Sequence, residues 1–452
     1  MVSLLVRVCL LIGCLVLPAG SISAPITSPA YASPEPAGRN CGSTTLLAHS
    51  AGPAGKSPFI QNETRWDDSR NIAIGTPTAP QRTPAVAVAP DGTLHMLFTD
   101  ERNGNDDIYA ARSSDDDQTW SAGMNVSDDV TGSRQTNPAG WIAPDNTVHV
   151  VWNDNRGGLN DIYTARSSDG GQTWSANIRV NLDTGTALKS APLLTGTSDA
   201  LLAGWVQKSD PDARRGDLVA VRSTDGGQTW IRVNRINILA NAVLDGGFSL
   251  IADPATGRLY AAWIGIPAGS AEAIQVLMSA SDDDGQTWSD PMQVNDPAED
   301  AAKAAPALAV DTANNLLLVA WEDYREFAPV VRLVSSSDGQ TWSSSIQVSA
   351  DDGAAYTPRL VIDSRGTGHC IFCQENTTGG HIYAAEIDRS NRVMREQISA
   401  DPIGAGDSLP ALTINDKNTL YAFWTNSTVN GEGIFTARRS DISQVFLPLI
   451  QQ

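Results

Sequence analysis

The string Ser-x-Asp-x-Gly-x-Thr-Trp recurs along the chain. It is intact from Ser167 to Trp174, from Ser223 to Trp230 and from Ser281 to Trp288. In a further copy, Ser113 to Trp120, Asp117 replaces the glycine, and another, Ser336 to Trp342, is one residue short. By subtraction, Trp120, Trp174, Trp230, Trp288 and Trp342 follow one another at 54, 56, 58 and 54 residues. A fixed motif at a fixed period specifies a repeat architecture, in which each unit buries its apolar face only against its neighbours.

Each unit reads the same way. A short apolar run leads to a turn (Pro90-Asp91-Gly92, Pro144-Asp145-Asn146) and a second run (Leu94 to Thr99, Val148 to Asn153). A polar loop, a third run, the Asp-containing turn and a fourth run follow. Short β-branched and aromatic runs bounded by Gly, Asn, Asp and Pro are strand signals. Four antiparallel strands per repeat predict an all-β fold, a β-propeller of four-stranded blades. Units from Thr357 and Leu409 with decayed motifs bring the count to seven blades, with a six-bladed ring as the alternative. Pro84, Pro138, Pro192, Pro306, Pro358 and Pro410 mark one equivalent position in six of the units. Ring closure needs a strand from the far end of the chain. Asn71 to Gly75 and Val445 to Ile450 compete for that role.

The motif itself reads as structural. Asp115, Asp169, Asp225, Asp283 and Asp338 are placed to accept backbone N–H groups of their own turns. Gly171 and its equivalents supply a positive φ. The five tryptophans are apolar anchors between blades.

Residues 1–32 read as a secretory signal peptide. Arg7 precedes an apolar stretch, and Ala30-Tyr31-Ala32 offers a cleavage site. Leu11-Ile12-Gly13-Cys14 is the weaker, lipoprotein-type alternative. Residues 33–66 read as a Pro/Gly/Ala/Ser-rich linker, 67–445 as the propeller, and 446–452 as a tail or closing strand. A secreted, extracellular monomer with no membrane span is expected. The formal net charge of −20 disfavours nucleic acid, whose binding rests on cationic contacts to phosphate. Cys370 and Cys373 have metal-ligand spacing but fall on a strand and lack a second ligand pair. They read as free thiols, and no disulfide scaffold or metal site is expected.

These repeats resemble the Asp-box (BNR) repeats of the sialidase superfamily over roughly residues 70–442. The resemblance implies a ligand site on the face opposite the Asp boxes, where the second-to-third-strand loops and the starts of the first strands lie. It implies that Arg82, in Arg82-Thr83-Pro84, grips a substrate carboxylate, and that Asp106 or Asp107 serves as acid/base. It further implies three arginines around the carboxylate and a tyrosine nucleophile paired with a glutamate. At the positions equivalent to Arg82 the other units carry Thr136, Ser190, Gly246, Ala304, Tyr356 and Ser408. Tyr356, and Glu322 beside Tyr324, are the nearest options for the tyrosine–glutamate pair.

A second pattern also repeats. Asp100 and Arg102, Asp154 and Arg156, and Asp323 and Arg325 each end a second strand. Spaced two apart, each pair shares one strand face. Each forms either a salt bridge within its blade or part of a polar ring for sugar hydroxyls or carboxylates. Asp107, Asp161 and Asp217 recur before the third strand, as loop pins or calcium ligands. Two functions therefore stand side by side. One is a non-catalytic propeller binding a glycan or an extracellular protein through its loop face. The other is an exo-acting sialidase-type glycoside hydrolase. No organic cofactor is expected under either.

Overall fold

The computed structural model describes Pro25–Ile26 and residues 66–440, apart from short breaks at 73, 76–78, 184, 210–214, 234, 237–242, 268–272, 297–300, 327, 377–378, 400–405 and 429–430. Strand pairing resolves into seven consecutive blades of four antiparallel strands. The first, innermost strands are Gln81–Val88, Gln135–Ile142, Leu188–Gly196, Val243–Ala252, Lys303–Asp311, Ala354–Ile362 and Gly406–Ile414. In six blades the outermost strand follows in sequence. In the seventh it is Arg70–Asn71, which pairs with Gly431–Arg439 in the register Arg70↔Thr436 and Asn71↔Phe435. Backbone bonds from Asp67 to Arg438 and from Ile72 to Ile434 extend this closure. The amino-terminal segment thus closes the ring. Val445 to Ile450 lies outside the described residues.

The core lies between blades. Every second strand carries one fully buried aromatic at the same level, Phe98, Trp152, Trp205, Trp263, Trp321, Phe372 and Trp424. Around them, apolar clusters each draw residues from two or three adjacent blades. Trp120 meets Phe423 of blade 7 edge to face at 5.7 Å, and Trp174 packs on the blade 1–2 cluster.

The Asp boxes have the hydrogen bonding that their residue types require. Asp169 Oδ1 accepts from Ser167 Oγ at 2.7 Å and from the Thr173 N–H at 2.9 Å, while Oδ2 accepts from Thr173 Oγ1 at 2.6 Å. Gly171 has φ of 82° and donates its N–H to Ser167 Oγ. Asp115, Asp225, Asp283 and Asp338 repeat the arrangement. Adjacent boxes are also stitched by an arginine that precedes the motif. Arg112 donates to Gly170 O and Arg166 to Gly226 O, each at 2.8 Å, and Arg222 pairs with Asp284.

Each prolyl position marks a bulge that splits the inner strand. Thr83, Asn137, Ala191, Ala305, Thr357 and Leu409, each just before proline, have φ between 47° and 60°, and Gly247 takes that place in blade 4. The sheet register shifts at every one of them. A non-glycine residue in the left-handed region costs about 1–2 kcal/mol. In three blades its N–H finds a partner across the blade boundary. Thr83 donates to Thr425 Oγ1 (3.2 Å), Ala191 to Asn153 Oδ1 (3.3 Å) and Thr357 to Glu322 Oε1 (2.8 Å). A polar belt therefore joins neighbouring blades just below the loop face.

The free-thiol reading fails at one of its two residues. Cys373 is disulfide-bonded, whereas Cys370 is a buried thiol.

Candidate functional site

The bulge delivers the residue before it to the loop-face mouth, and in blade 1 that residue is Arg82. Its guanidinium does not stand open. Nη2 pairs with Glu101, Nε with Glu432 of blade 7, and Nη1 with Asp106 at 3.3 Å. Asp106, only 2 % exposed, is also held by Arg134, whose Nε donates to Oδ2 at 2.7 Å. Burial alone would lower the Arg82 pKa, but Glu432 and Glu101 more than offset it and hold the guanidinium charged. Two arginines thus face three carboxylates, a local formal charge of −1 if all are ionised. An incoming anion would have to displace Glu101 and Glu432, each about one-third exposed.

The structure brings Arg82 and Asp106 together and sends Asp107 elsewhere. Asp107 accepts from Asn103 and Asn105, both at 3.0 Å, and pins its own loop. Burial raises its pKa, against those amide donors. Asp161 meets Arg179 and Lys189 at 3.5 Å, and Asp217 meets Arg235 at 2.8 Å. Among the described residues, no cluster of three or more His, Cys, Asp or Glu side chains is arranged to hold a metal ion.

The repeated Asp/Arg pairs are ion pairs within their own blades. Arg102 meets Asp100 at 2.5 Å, while Arg156 and Arg325 grip Asp154 and Asp323 through two nitrogens each. The three aspartates are fully buried. Arg102 and Arg156 lie over the rings of Tyr109 and Tyr163, at 4.2 and 4.4 Å. Trp152 and Trp321 donate their indole N–H groups to Asp154 and Asp323. With stacking, bidentate bonding and burial combined, these guanidiniums rigidify the ends of their strands.

Blade 5 holds a tyrosine–glutamate pair. Tyr324 donates its hydroxyl to Glu322 Oε2 at 2.8 Å. Glu322 is fully buried, and burial pushes its carboxyl up to about 7, against the stabilising Thr357 N–H, the Tyr324 hydroxyl and Arg359. Glu322 is also the belt residue of its blade, where blades 2 and 7 carry Asn153 and Thr425. Tyr356 is buried on the inner strand of blade 6, opposite Cys373 in register.

Sequence reasoning did not single out Glu432 or Arg134. Glu432 lies 350 residues from Arg82 and reaches it only because the ring closes blade 7 against blade 1. Being acidic at the start of the third strand of the last blade was its one sequence signal.

Comparison with known proteins fits this architecture. A family described as a BNR repeat-like domain matches residues 61–242 and 257–433, well over half of the chain. The chain belongs to this BNR repeat-like family. Seven blades, inter-blade cores and five Asp boxes are therefore the BNR-repeat propeller as this chain builds it. A protein of unknown function from Dyadobacter fermentans shares the fold at 16% identity and a TM-score of 0.50, with 71% of this chain and 98% of that chain covered. A Hadza microbial sialidase aligns at 20% identity and a TM-score of 0.45, over 65% of this chain and 63% of its own, so the BNR chain spans under two thirds of that enzyme. An α-L-arabinofuranosidase of Fusarium graminearum aligns at 13% identity and a TM-score of 0.46, over 66% and 90%. No curated protein sequence matches the chain.

Proposed function

We propose that this BNR propeller is a secreted glycan-binding protein whose loop-face mouth takes a neutral rather than a sialylated chain. The observation that carries this reading is the engagement of Arg82 by Glu101, Glu432 and Asp106. A sialoside carboxylate would enter a mouth whose arginine is already neutralised. Breaking a charge-assisted hydrogen bond costs about 1.5–3 kcal/mol, and two would have to break. Sugar hydroxyls, by contrast, can donate to the exposed edges of Glu101 and Glu432 without displacing either. The glycan class rests on the superfamily resemblance, and secretion on the leader-like amino terminus and the disulfide at Cys373.

The Tyr324–Glu322 contact favours a second reading, sialidase-type hydrolysis, with Tyr324 attacking the anomeric carbon, Arg82 on the carboxylate and Asp106 as acid/base. Two measurements separate the readings. On a glycan array the first predicts binding to neutral chains, weakened about tenfold or more in Arg82→Ala, because Glu101 and Glu432 lose their anchor. It also predicts no turnover of a fluorogenic sialoside. Turnover abolished in both Tyr324→Phe and Arg82→Ala would overturn it in favour of the hydrolase.

A further inference from the structure

One acidic side chain at the loop face stands outside the Arg82 network. On each second strand the third residue after the buried aromatic reaches the loop face. In blade 1 that residue is Glu101, three after Phe98, and in blade 5 it is Tyr324, three after Trp321. Glu101 pairs with Arg82, and Tyr324 donates to Glu322. In blade 6 the residue is Glu375, three after Phe372. Among the described residues its half-buried carboxyl has no hydrogen-bond or ion-pair partner, and burial alone raises it to about 7. We infer that Glu375 is a further ligand contact of the mouth, a carboxylate that accepts hydroxyl donors of a neutral sugar ring on the blade 6–7 side, an assignment that rests on the glycan-binding reading of that mouth.

Register fixes where the carboxylate stands. Glu375 is the last residue but one of its strand and pairs with Gly380, which itself pairs with Gly406 at the start of the innermost strand of blade 7. Alternation along a strand puts Glu375 on the same side as Cys373, whose Sγ lies 3.1 Å from Asp407 O of blade 7. Glu375 therefore projects towards blade 7, the blade that supplies Glu432 to Arg82. Ser408, which takes the place of Arg82 in blade 7, follows Asp407 and is partly exposed. Around the rim the order is then Tyr324, Glu375, Glu432 and Arg82, from blades 5, 6, 7 and 1. The backbone beneath Glu375 is tightly held. A Cβ on Gly353, at the entry to blade 6, would run into Glu375 O, so only glycine lets that turn pack there. A backbone already fixed in this way leaves no loop for a ligand to order.

The energetics single out the same residue. Glu101 and Glu432 already accept from Arg82, so a sugar hydroxyl adds less to either. Glu375 has given up water on burial and receives no protein donor in exchange, which burdens the fold. It therefore gains more from a hydroxyl, because hydrogen bonds to an ionised acceptor are the strong ones.

An array of neutral oligosaccharides, each printed unmodified and O-methylated, tests this with the wild type, Glu375→Gln and Arg82→Ala. On the unmodified chains that the wild type binds, Glu375→Gln should bind about tenfold more weakly. On the O-methylated chains, which keep their rings but have no hydroxyl donors, the two proteins should bind alike. Glu375→Gln should also melt about 1–3 °C higher at pH 8, where ionisation of the half-buried carboxyl opposes folding. Affinity and stability then move in opposite directions, which a purely structural carboxylate would not produce. A lower Tm, or a wild type that outbinds Glu375→Gln on methylated chains as much as on unmodified ones, would overturn the inference. Binding weakened in Arg82→Ala but unchanged in Glu375→Gln would overturn this contact alone and leave the mouth reading standing. A wild type that binds no chain would overturn both.

Discussion

At the scale of single residues, the departures from the repeat carry the most meaning. Asp117 stands where the other boxes have glycine, and Asp116 and Asp117 take φ of 56° and 69°. The strain is offset by contacts no glycine could make. The buried Asp117 carboxylate meets Arg70 at 2.7 Å, Thr436 Oγ1 at 3.0 Å and the Trp120 indole at 2.7 Å. Arg70 and Thr436 lie on the two strands that close the ring, so the altered box serves as its clasp. Restoring the repeat with Asp117→Gly regains about 1–2 kcal/mol of backbone strain but removes charge-assisted bonds of about 1.5–3 kcal/mol each. The expected result is a net loss of about 1–3 kcal/mol in chemical denaturation, where the repeat pattern alone would forecast a gain. Glu322 gives the opposite kind of prediction. Its folded pKa of about 7 lies above the ordinary carboxyl value, so ionisation above pH 7 opposes folding. Glu322→Gln should raise Tm at pH 8 by about 2 °C and have no such benefit at pH 4. A scan showing lower Tm at both pH values would assign Glu322 to holding the belt in its charged form.

Within elements, the second strand shows how local chemistry tunes a repeated position. Trp152 donates its indole N–H to Asp154 two residues on, at 3.0 Å. Blade 4 has Gly265 in place of that aspartate, and the Trp263 indole N–H has no hydrogen-bond partner among the described residues. Blades 1 and 6 carry phenylalanine at the same level. Trp152→Phe therefore leaves a buried carboxylate short of a donor, whereas Trp263→Phe removes an unmatched donor. The first should cost about 1 kcal/mol or more beyond the second, measured as the difference in unfolding free energy between the two variants. Equal losses would show that volume alone sets the position. The same level of description separates what was legible in sequence from what was not. Strands, turns and boxes followed from period-2 runs and turn residues, because their causes are local. The prolines were visible as markers, but their role was not. Only the paired strands show that each follows a left-handed residue, and that at Thr83, Ala191 and Thr357 the N–H of that residue is satisfied from the preceding blade.

At the scale of the whole molecule, closure was half legible. The displaced strand was expected near Asn71, and Arg70–Asn71 fills that role. The mouth was harder to read, since Arg82, Glu432 and Arg134 meet through a ring and share no local motif. The Asp/Arg pairs were recognisable, but sequence could not show whether they faced a ligand or their own tyrosines. The same global frame sets the pH response. Burial holds His95 and His149 down at about 4, so each loses stabilising effect as pH falls from about 6.5 towards 4, where the unfolded chain takes up protons first. Burial holds Glu322 and Glu375 up at about 7, so each gains stabilising effect over nearly the same interval, where the folded chain takes up protons first. Two groups of each sign oppose one another, and Tm should stay nearly flat between about pH 7 and 4.5. Below that interval the Asp boxes take over. Hydrogen bonds from Thr119 and Thr229 hold Asp115 and Asp225 down at about 2, so their contribution is present above the ordinary carboxyl pKa and is lost as pH falls towards 2. Thermal scans across pH 2–8 should therefore show a plateau and then a steep acid limb. In Glu322→Gln one of the two opposing carboxyls is gone, so the plateau should tilt, with Tm falling as pH drops from 7 to 4.5. A plateau that stays level in that variant would mean that the histidines titrate elsewhere and that the balance between buried imidazoles and buried carboxyls is not what flattens the curve.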